Sequence, residues 1–341
     1  MHTRTSALSR RDALRFLGLV GAATFVPGLV TRVAAADSTA GTAAAGSTPS
    51  LAGEQAGYFR FKIGAFDAVA LDDGGFGGPL AEAPWPAAGQ DKLTETLGAA
   101  FLPTESFGIP FTVLLVRMGS ELVLIDAGCG GLFGPTNGKL VRRLAAIGVK
   151  PAQITAVFLS HAHADHFGGL LDAETKQPVF TNAHHFINRR EFEIWTDRPG
   201  ELSAAGVAAA SLAGAQACLN ALKPKWQFIA PGDKLVEGLT IVDAPGHTPG
   251  HIAFEFTSGN ANLLHFVDIA HHHAISFAHP DVPIIFDVQP QIAAATRRKL
   301  LDRVAADRSR VFGAHMPFPA LGHVRKLGDR YEHVLEPAPA V

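Results

Sequence analysis

The stretch Ser160-His161-Ala162-His163-Ala164-Asp165-His166-Phe167-Gly168-Gly169 decides how this chain folds around one site. Four of its side chains, His161, His163, Asp165 and His166, are of types that bind metal ions. Apolar, β-prone residues precede it (154–159), and the glycine pair permits a sharp turn. Residues two positions apart do not face each other on a regular helix, so His161 and His163 can share an ion only from a loop. The stretch therefore predicts a metal site on a strand-to-helix loop.

The donor types narrow the choice of metal. Imidazole and carboxylate ligands without a thiolate favour zinc, with manganese, cobalt or iron as alternatives. The competing interpretation is a solvated polar turn that happens to be rich in histidine, and for one isolated histidine it would be preferred. Donors at this spacing favour the metal site instead.

Four other apolar runs also end in a metal-binding side chain. Residues 122–125 lead to Asp126, 240–243 to His247, 263–267 to Asp268, and 310–312 to His315. In sheets covered by helices, ligands bind beyond one end of the strands. We therefore expect these groups and the His161 loop to converge at one edge.

The pattern H-x-H-x-D-H at residues 161–166 resembles the signature of the metallo-β-lactamase superfamily, a fold used mostly for metal-assisted hydrolysis. The resemblance and the alternation of strand-rich and helical segments predict an α/β (α+β) fold, a four-layer αββα sandwich forming one hydrolase domain over residues 57–341. The resemblance implies seven metal ligands: His161, His163 and His247 for the first ion, Asp165, His166 and His315 for the second, and Asp268 as the bridge.

Two further residues match supporting positions of the superfamily. The resemblance implies that Asp126 fixes the orientation of a ligand histidine, as carboxylates behind metal ligands do. It also implies that His251 lies outside the ligand set, where we expect a structural hydrogen-bonding group. The resemblance also implies two divalent ions about 3.5–4 Å apart that share a hydroxide, the nucleophile. Asp268 and Asp165 are then the catalytic carboxylates, because Asp268 serves both ions and Asp165 also handles the proton after attack.

Stretches outside the metal motifs resemble the branch that contains methyl parathion hydrolase and lactonase-like enzymes: residues 57–71, 131–136, 315–319 and 322–323. Phe133 and Trp195 match two aromatic positions of that branch's substrate pocket, with ordinary core positions as the alternative. The third pocket aromatic would fall near Ser211, where the chain has none.

Histidines replace the expected apolar residues after the bridging aspartate, at His271, His272 and His273, and we assign His273 to the pocket. Acyl-homoserine lactonases carry a tyrosine after that aspartate, whereas the only tyrosines here are Tyr58 and Tyr331, so a close match to them is not expected. The predicted substrates are lactones, carboxylic esters or organophosphate triesters, with the carbonyl substrates preferred.

Other functions fit the sequence less well. A glyoxalase-type thioesterase would need a basic patch for glutathione, and no clear one is found; a flavo-diiron protein would need an attached flavin domain. A non-enzymatic periplasmic metal-binding or nucleic-acid-processing protein is disfavoured by the acidic charge and the lack of a basic block. We therefore expect a small-molecule substrate and no nucleic acid, and we leave a homodimer open.

The N-terminus carries an export pattern. Ser9-Arg10-Arg11 precedes an apolar stretch (16–30), and Ala34-Ala35-Ala36 offers a cleavage site, which predicts a twin-arginine signal peptide over 1–36. A membrane anchor, the alternative, needs about 20 continuous apolar residues, whereas glycine and proline interrupt this segment. Cleavage removes five arginines and one aspartate and lowers the formal net charge from −2 to −6. We expect residues 37–56 to be a flexible leader. We also expect the mature protein to be periplasmic or secreted, without stable membrane association.

Periodicity predicts the remaining elements: a hairpin at 58–63 and 66–71, a lid at 76–107 with a helix near 92–97, and helices at 136–147, 189–195, 202–222 and 291–306. Thr136 is the expected cap of the helix at 136–147. His184 and His185 are predicted to be surface residues. Cys129 and Cys218 are predicted to be buried small hydrophobes, with one disulfide between them as the alternative.

Overall fold

A computed structural model describes residues 56–336 of the 341-residue chain. The predicted signal peptide (1–36) and all but the last residue of the predicted leader (37–56) lie outside the described residues. Across residues 56–336, no helix is long and apolar enough to span a bilayer. Two β-sheets pack face to face and carry helices on their outer faces, which confirms the predicted four-layer α/β sandwich.

The first sheet has seven strands in chain order. The chain runs antiparallel from β1 to β4, which confirms the predicted hairpin, and parallel from β4 to β7. The strands are β1 (Tyr58–Ile63), β2 (Phe66–Pro79), β3 (Ser106–Met118), β4 (Glu121–Ile125), β5 (Ala156–Leu159), β6 (His184–Asn188) and β7 (Trp226–Ile229).

The second sheet has six strands in the order β13-β12-β11-β10-β9-β8. Only the β10–β11 pair is parallel in this sheet, within the described residues. The strands are β8 (Leu239–Asp243), β9 (Ile252–Ser258), β10 (Ala261–His265), β11 (Arg310–Phe312), β12 (Leu321–Leu327) and β13 (Arg330–Leu335).

The helices form the outer layers. Leu144, Trp195 and Leu219, from three different helices, join the apolar cluster on the outer face of the first sheet, and the last helix contacts β12. Within residues 56–336 the helices are α1 (Gln90–Ala99), α2 (Leu140–Ala146), α3 (Ala164–Phe167), α4 (Arg189–Thr196), α5 (Pro199–Ala204), α6 (Ala209–Ala221), α7 (Ile275–Ala278) and α8 (Pro290–Asp307).

Aromatic side chains fill the space between the sheets. Phe158 of β5 and Phe254 of β9 are fully buried, and their ring centroids are 6.1 Å apart. Burying one such side chain contributes about 1.5–3 kcal/mol. Since this core joins the two sheets directly below the metal-binding loops, it fixes the strand ends of one sheet against those of the other.

Helix α2 begins later than the sequence indicated. Thr136 does not cap it, because Gly138 takes a left-handed conformation (φ 68°) and the helix starts at Leu140. The cap comes from another strand: Asp73 Oδ1 accepts the Leu140 amide at 2.8 Å. The helix predicted over 202–222 is likewise two helices, α5 and α6, separated at Gly206 (φ 96°).

The prediction of a surface position is wrong for His185. Its side chain is fully buried, and Nδ1 donates to the Ala183 carbonyl at 3.0 Å, because β6 is an interior strand with both faces covered. Cys129 and Cys218 are both buried and free, as predicted. The irregular part of segment 76–107 is shorter than expected. Strand β2 extends to Pro79 and strand β3 starts at Ser106, so only the residues between them lie outside the sheet.

Candidate metal centre

The metal-binding side chains lie where strands end. Asp126 follows β4, and the loop with His161 and His163 follows β5, the parallel neighbour of β4. In the other sheet Asp268 follows β10 and His315 follows β11, again a parallel pair. Parallel neighbours bring their carboxyl ends to the same edge, so the fold itself gathers these groups.

The first site consists of His161, His163, His247 and Asp268. The Nδ1 atom of His163 lies 3.1 Å from Nε2 of His161 and 2.9 Å from Nε2 of His247. Asp268 Oδ2 lies 3.1 Å from Nε2 of His247 and 3.6 Å from Nε2 of His161. Four donors thus surround one point.

The second site consists of Asp165, His166 and His315, together with the other oxygen of Asp268. Nε2 of His166 lies 3.4 Å from Asp165 Oδ2 and 3.3 Å from Asp268 Oδ1. Nε2 of His315 lies 3.5 Å from Asp165 Oδ2 and 3.1 Å from Asp268 Oδ1. The structure therefore brings all seven predicted ligands together. Asp268 lies between the two groups, with Oδ1 beside the second group and Oδ2 beside the first, and Oδ2 is also 3.2 Å from Nε2 of His315.

These donors fit divalent ions. Tetrahedral ligands about 2.0–2.1 Å from zinc lie roughly 3.3 Å from one another, which matches the separations in both sites. His166 Nε2 and Asp268 Oδ1 are buried and have no hydrogen-bond partner among the described residues. Buried polar atoms are seldom left unpaired, so a cation between them accounts for their arrangement.

The charges in the cluster suit metal binding. Burial and neighbouring histidines keep the pKa of His161 and of His163 well below the ordinary value, so both rings are neutral, the form that binds metals. Burial alone would raise the pKa of Asp268, but the imidazoles of His166 and His315 hold it well below its usual range. The cluster thus combines two neutral imidazoles with an ionised carboxylate. Burial alone would lower the pKa of His166 and of His315, but the negative charge of Asp268 in turn raises both.

Asp126 lies behind the ligands, as expected. Its Oδ2 is 2.8 Å from Nδ1 of His166, which turns Nε2 toward the second site. The two carboxylate oxygens also accept the amide (2.7 Å) and hydroxyl (2.8 Å) of Ser160, whose Oγ lies 3.0 Å from Nδ1 of His161. Asp126 has a left-handed backbone (φ 62°), uncommon for a non-glycine residue, so this network holds a strained position.

Two other histidines are oriented by main-chain carbonyls. His251 donates from Nδ1 to the Ala244 carbonyl at 2.8 Å, so its Nε2 accepts the amide of Asp268 at 3.3 Å. This places His251 outside the ligand set, in contact with the bridging residue. His315 donates from Nδ1 to the Pro110 carbonyl at 2.9 Å, which leaves Nε2 for the second site.

The glycine pair after the ligand loop is required for close packing. A Cβ atom on Gly168 would lie 2.3 Å from the Cys129 carbonyl oxygen, and one on Gly169 would lie 2.1 Å from that of Ala127. The backbone angles of Gly168 are ordinary helical values (φ −58°, ψ −29°). The pair therefore serves the contact between the loop after β4 and helix α3 rather than an unusual turn.

Sequence reasoning missed Glu191, a fully buried carboxylate of α4. Oε1 accepts the Ala162 amide at 3.0 Å and the Trp195 indole N–H at 2.7 Å. Oε2 accepts the Thr248 hydroxyl at 2.7 Å and the Gly250 amide at 2.9 Å. Glu191 thus hydrogen-bonds to both loops that supply histidines to the first site. Nothing in its sequence context distinguishes it from a solvated helix residue.

His271, rather than His273, is the member of the histidine triplet beside the metal centre. Its buried ring stacks on His315 (centroids 5.3 Å, 17°), and Nε2 lies 3.3 Å from Asp268 Oδ2. Neither ring nitrogen has a hydrogen-bond partner among the described residues, and burial lowers the pKa of His271 to about 4. The half-buried His273 stacks instead on His272 (centroids 4.8 Å).

The two predicted pocket aromatics differ in environment. Phe133 is half-buried, and its ring lies 5.2 Å from Phe111, which in turn lies 5.7 Å from His315. Trp195 has 0% of its surface exposed, and its ring edge meets His163 at 5.8 Å. This burial favours the core position that the sequence left open for Trp195.

Further aromatics near Phe133 come from β2, from β3 and from the loop before α8. We call Phe76, Phe107, Phe111, Phe133 and Phe286 the aromatic wall. Phe76 is at its centre, with ring centroids 5.8 Å from Phe107, 6.0 Å from Phe111 and 6.2 Å from Phe286. Four of the five, all except Phe111, are half-buried. An apolar surface therefore begins beside the second site, although the helix near Ser211 supplies no aromatic.

Comparisons with known proteins agree with this geometry. Residues 110–315 match the family model of the metallo-beta-lactamase superfamily. The chain is 24% identical to an N-acyl homoserine lactonase of Bacillus thuringiensis over 242 residues, covering 64% of this chain and 86% of that protein. It is 25% identical to a probable metallo-hydrolase of Mycobacterium tuberculosis (strain ATCC 25618 / H37Rv) over 224 residues, covering 59% and 70%.

One similar solved structure is AidC, a dizinc quorum-quenching lactonase in complex with a product. It has a TM-score of 0.79 and 30% identity, covering 83% of this chain and 99% of that one. The hydrolase AbOPH has a TM-score of 0.77 and 25% identity, with 84% and 100% covered. Given the matching model, the sandwich fold and the assembled donors, the chain belongs to the metallo-beta-lactamase superfamily and is a metal-dependent hydrolase.

Proposed function

We propose that this protein is an exported dinuclear hydrolase of lactones and carboxylic esters. The observation that carries the proposal is the position of Asp268, whose two oxygens face two separate groups of histidine and aspartate donors. When two divalent ions are bound there, the chemistry they supply is a hydroxide nucleophile near neutral pH and polarisation of the attacked carbonyl.

The residues of the chain then have distinct tasks. Asp268 and the histidines hold the reacting centre between the two sheets. Asp165, whose side chain is 16% exposed against 3% for Asp268, is the carboxylate that can exchange a proton with solvent or substrate, and we assign it the proton released after attack. His271, whose ring nitrogens have no partner among the described residues, is placed to donate a hydrogen bond to a substrate oxygen.

The aromatic wall supports a substrate with an apolar group. It starts at Phe111, next to His315, and continues through the half-buried rings of Phe76 and Phe133. Such a surface suits an acyl chain or an aryl group and offers no cation for a glutathione carboxylate. The similarity to lactonases supports N-acyl homoserine lactones among the substrates. We rank carbonyl substrates above phosphotriesters because His271 adds a polar group beside the centre and the helix near Ser211 supplies no aromatic.

The decisive experiment is a turnover screen of the zinc-loaded protein with a δ-lactone, an N-acyl homoserine lactone, an aryl ester, an aryl phosphotriester and a glutathione thioester. We expect the lactones and the ester to be cleaved, and Asp268→Ala to remain folded without activity. Turnover of the thioester alone would establish a glyoxalase-type function. Substantial activity of Asp268→Ala would contradict the dinuclear mechanism.

We also propose that the chain reaches the periplasm or the medium by twin-arginine export. Ser9-Arg10-Arg11, the apolar stretch behind it and the alanine triplet at 34–36 support this route. Export of a folded protein suits a metal centre with ligands from distant parts of the chain, because the ions can be bound before translocation.

A further inference from the structure

We propose that Asp287, locked by Arg297, is the positioning residue of the first metal site. Asp287 Oδ1 lies 3.0 Å from Nδ1 of His247, and both side chains are buried. Nε2 of the same ring faces the first site. A carboxylate behind a ligand histidine fixes its tautomer and ring orientation and makes it a better donor. The inference rests on the proposed function only in requiring a metal ion at His247.

The second oxygen of Asp287 is held as firmly as the first. Oδ2 accepts the Ile284 amide at 3.2 Å and a guanidinium N–H of Arg297 at 3.3 Å. Arg297 is only 2% exposed, and its Nη1 also donates to the Pro280 carbonyl at 2.7 Å. The carboxylate therefore cannot rotate away from His247 without leaving a buried cation unpaired, which is costly.

The backbone around Asp287 is joined to the backbone around His247. The Val288 amide donates to the His247 carbonyl, and the Gln289 amide donates to the Gly246 carbonyl, both at 2.9 Å. Gly246 has a left-handed φ of 123°, and a Cβ atom there would lie 2.2 Å from the backbone nitrogen of Ala293 in α8. Segment 287–289, the ligand loop and the start of α8 thus form one close-packed unit.

Each metal site then has its own carboxylate behind one histidine. Asp126 lies 2.8 Å from Nδ1 of His166 in the second site, and Asp287 lies 3.0 Å from Nδ1 of His247 in the first. Asp126 follows β4 of the first sheet, whereas Asp287 lies in the loop before α8, and the two carboxylates contact different ligand histidines. We therefore expect their loss to weaken different ions.

The test measures metal affinity without substrate. Metal-free wild type, Asp287→Asn and Asp126→Asn are titrated with zinc against a chromophoric chelator, and the cobalt-substituted forms are compared by absorption spectroscopy. We expect Asp287→Asn to weaken one ion about 10- to 100-fold and to leave the other near the wild-type affinity. Asp126→Asn should weaken the other ion, and the double variant should lose both. Wild-type affinity for both ions in folded Asp287→Asn would overturn the proposal.

Two further variants separate positioning from general stability. Asp287→Asn with Arg297→Met removes the unpaired cation, so it keeps the test valid if Asp287→Asn alone does not fold. Asp73→Asn is the matched control, because Asp73 is equally buried and caps α2 without contacting a metal ligand. We expect the control to lower the melting temperature of the metal-free protein and to leave both affinities unchanged.

An equal loss of affinity in the control would assign the effect to stability and overturn the proposal. Because turnover is not measured, failure of the proposed substrate class would leave this result intact.

Discussion

The carboxylate of Glu191 accepts the hydroxyl of Thr248 at 2.7 Å, joining helix α4 to the loop that carries His247. The same side chain accepts the amide of Ala162, between the two ligand histidines of the other loop. Burial raises the pKa of Glu191, and four donated hydrogen bonds offset this cost without a cation. The relative position of the two loops therefore depends on one buried acid.

Replacing Glu191 with glutamine should loosen this link. The amide nitrogen cannot accept a hydrogen bond, so one pair of donors loses its partner, at a cost of about 1–3 kcal/mol for each buried group left unpaired. We expect a lower free energy of unfolding and weaker binding of one ion, measured by urea denaturation and zinc titration. Glu193→Gln, two positions along the same helix and with a 40% exposed side chain, is the control and should change neither quantity. Unchanged metal affinity in Glu191→Gln would restrict its role to stability.

The ligands were predictable because their sequence signals are local. His161, His163 and His166 lie in one short loop, and the apolar runs before Asp126, Asp268 and His315 required only that parallel strands end at one edge. The fold class followed from the superfamily resemblance of the ligand motif and from the alternation of strand-rich and helical segments.

Two supporting residues, Glu191 and Asp287, were not predictable, since their partners are distant in the chain and no family motif marks them. Glu191 contacts Thr248 across 57 positions, and Asp287 contacts His247 across 40. An acidic residue in a helix or loop has the same sequence context whether it is solvated or buried against such a partner. Thr136 was mistaken for a helix cap for the same reason, because the true cap, Asp73, lies 67 positions from Leu140.

The metal content should be two divalent ions per chain. Each site has a complete set of donors, so elemental analysis of protein purified without chelator should give two ions. Binding to the folded state alone stabilises it by about 2.7 kcal/mol per site at a free metal concentration 100 times Kd, so chelation should lower the melting temperature. A reproducible single ion per chain would remove the bridging role of Asp268.

Replacing His271 with phenylalanine should affect turnover without affecting metal content. The phenyl ring preserves stacking on His315 but removes the hydrogen bond that we assign to a substrate oxygen. We expect kcat/KM for a lactone to fall by an amount equivalent to about 0.5–1.5 kcal/mol, with two ions retained. Loss of one ion in this variant would instead make His271 a metal ligand.

Export should depend on the arginine pair near the N-terminus. The route requires both arginines in families that use it, so Arg10→Lys together with Arg11→Lys should leave uncleaved precursor in the cytoplasm. Fractionation followed by immunoblotting checks this, with Arg4→Lys as the control outside the pair. Normal delivery of the double variant would exclude twin-arginine export.

The aromatic wall should determine how apolar substrates are bound, and Phe133 and Trp195 allow its role to be separated from that of the core. Phe133→Ala removes a half-buried ring, so we expect kcat/KM for aryl substrates to fall by about 0.5–1.5 kcal/mol in stacking, with stability and metal content nearly unchanged. Trp195→Ala empties a fully buried position and removes a donor to Glu191, so it should cost about 3–5 kcal/mol of unfolding free energy. The measurements are urea denaturation of both variants and kcat/KM for matched aryl ester, lactone and phosphotriester substrates. A selective loss of aryl turnover in a stable Trp195→Ala protein would show that the indole lines the substrate pocket. A wild-type preference for the phosphotriester would contradict our substrate ranking.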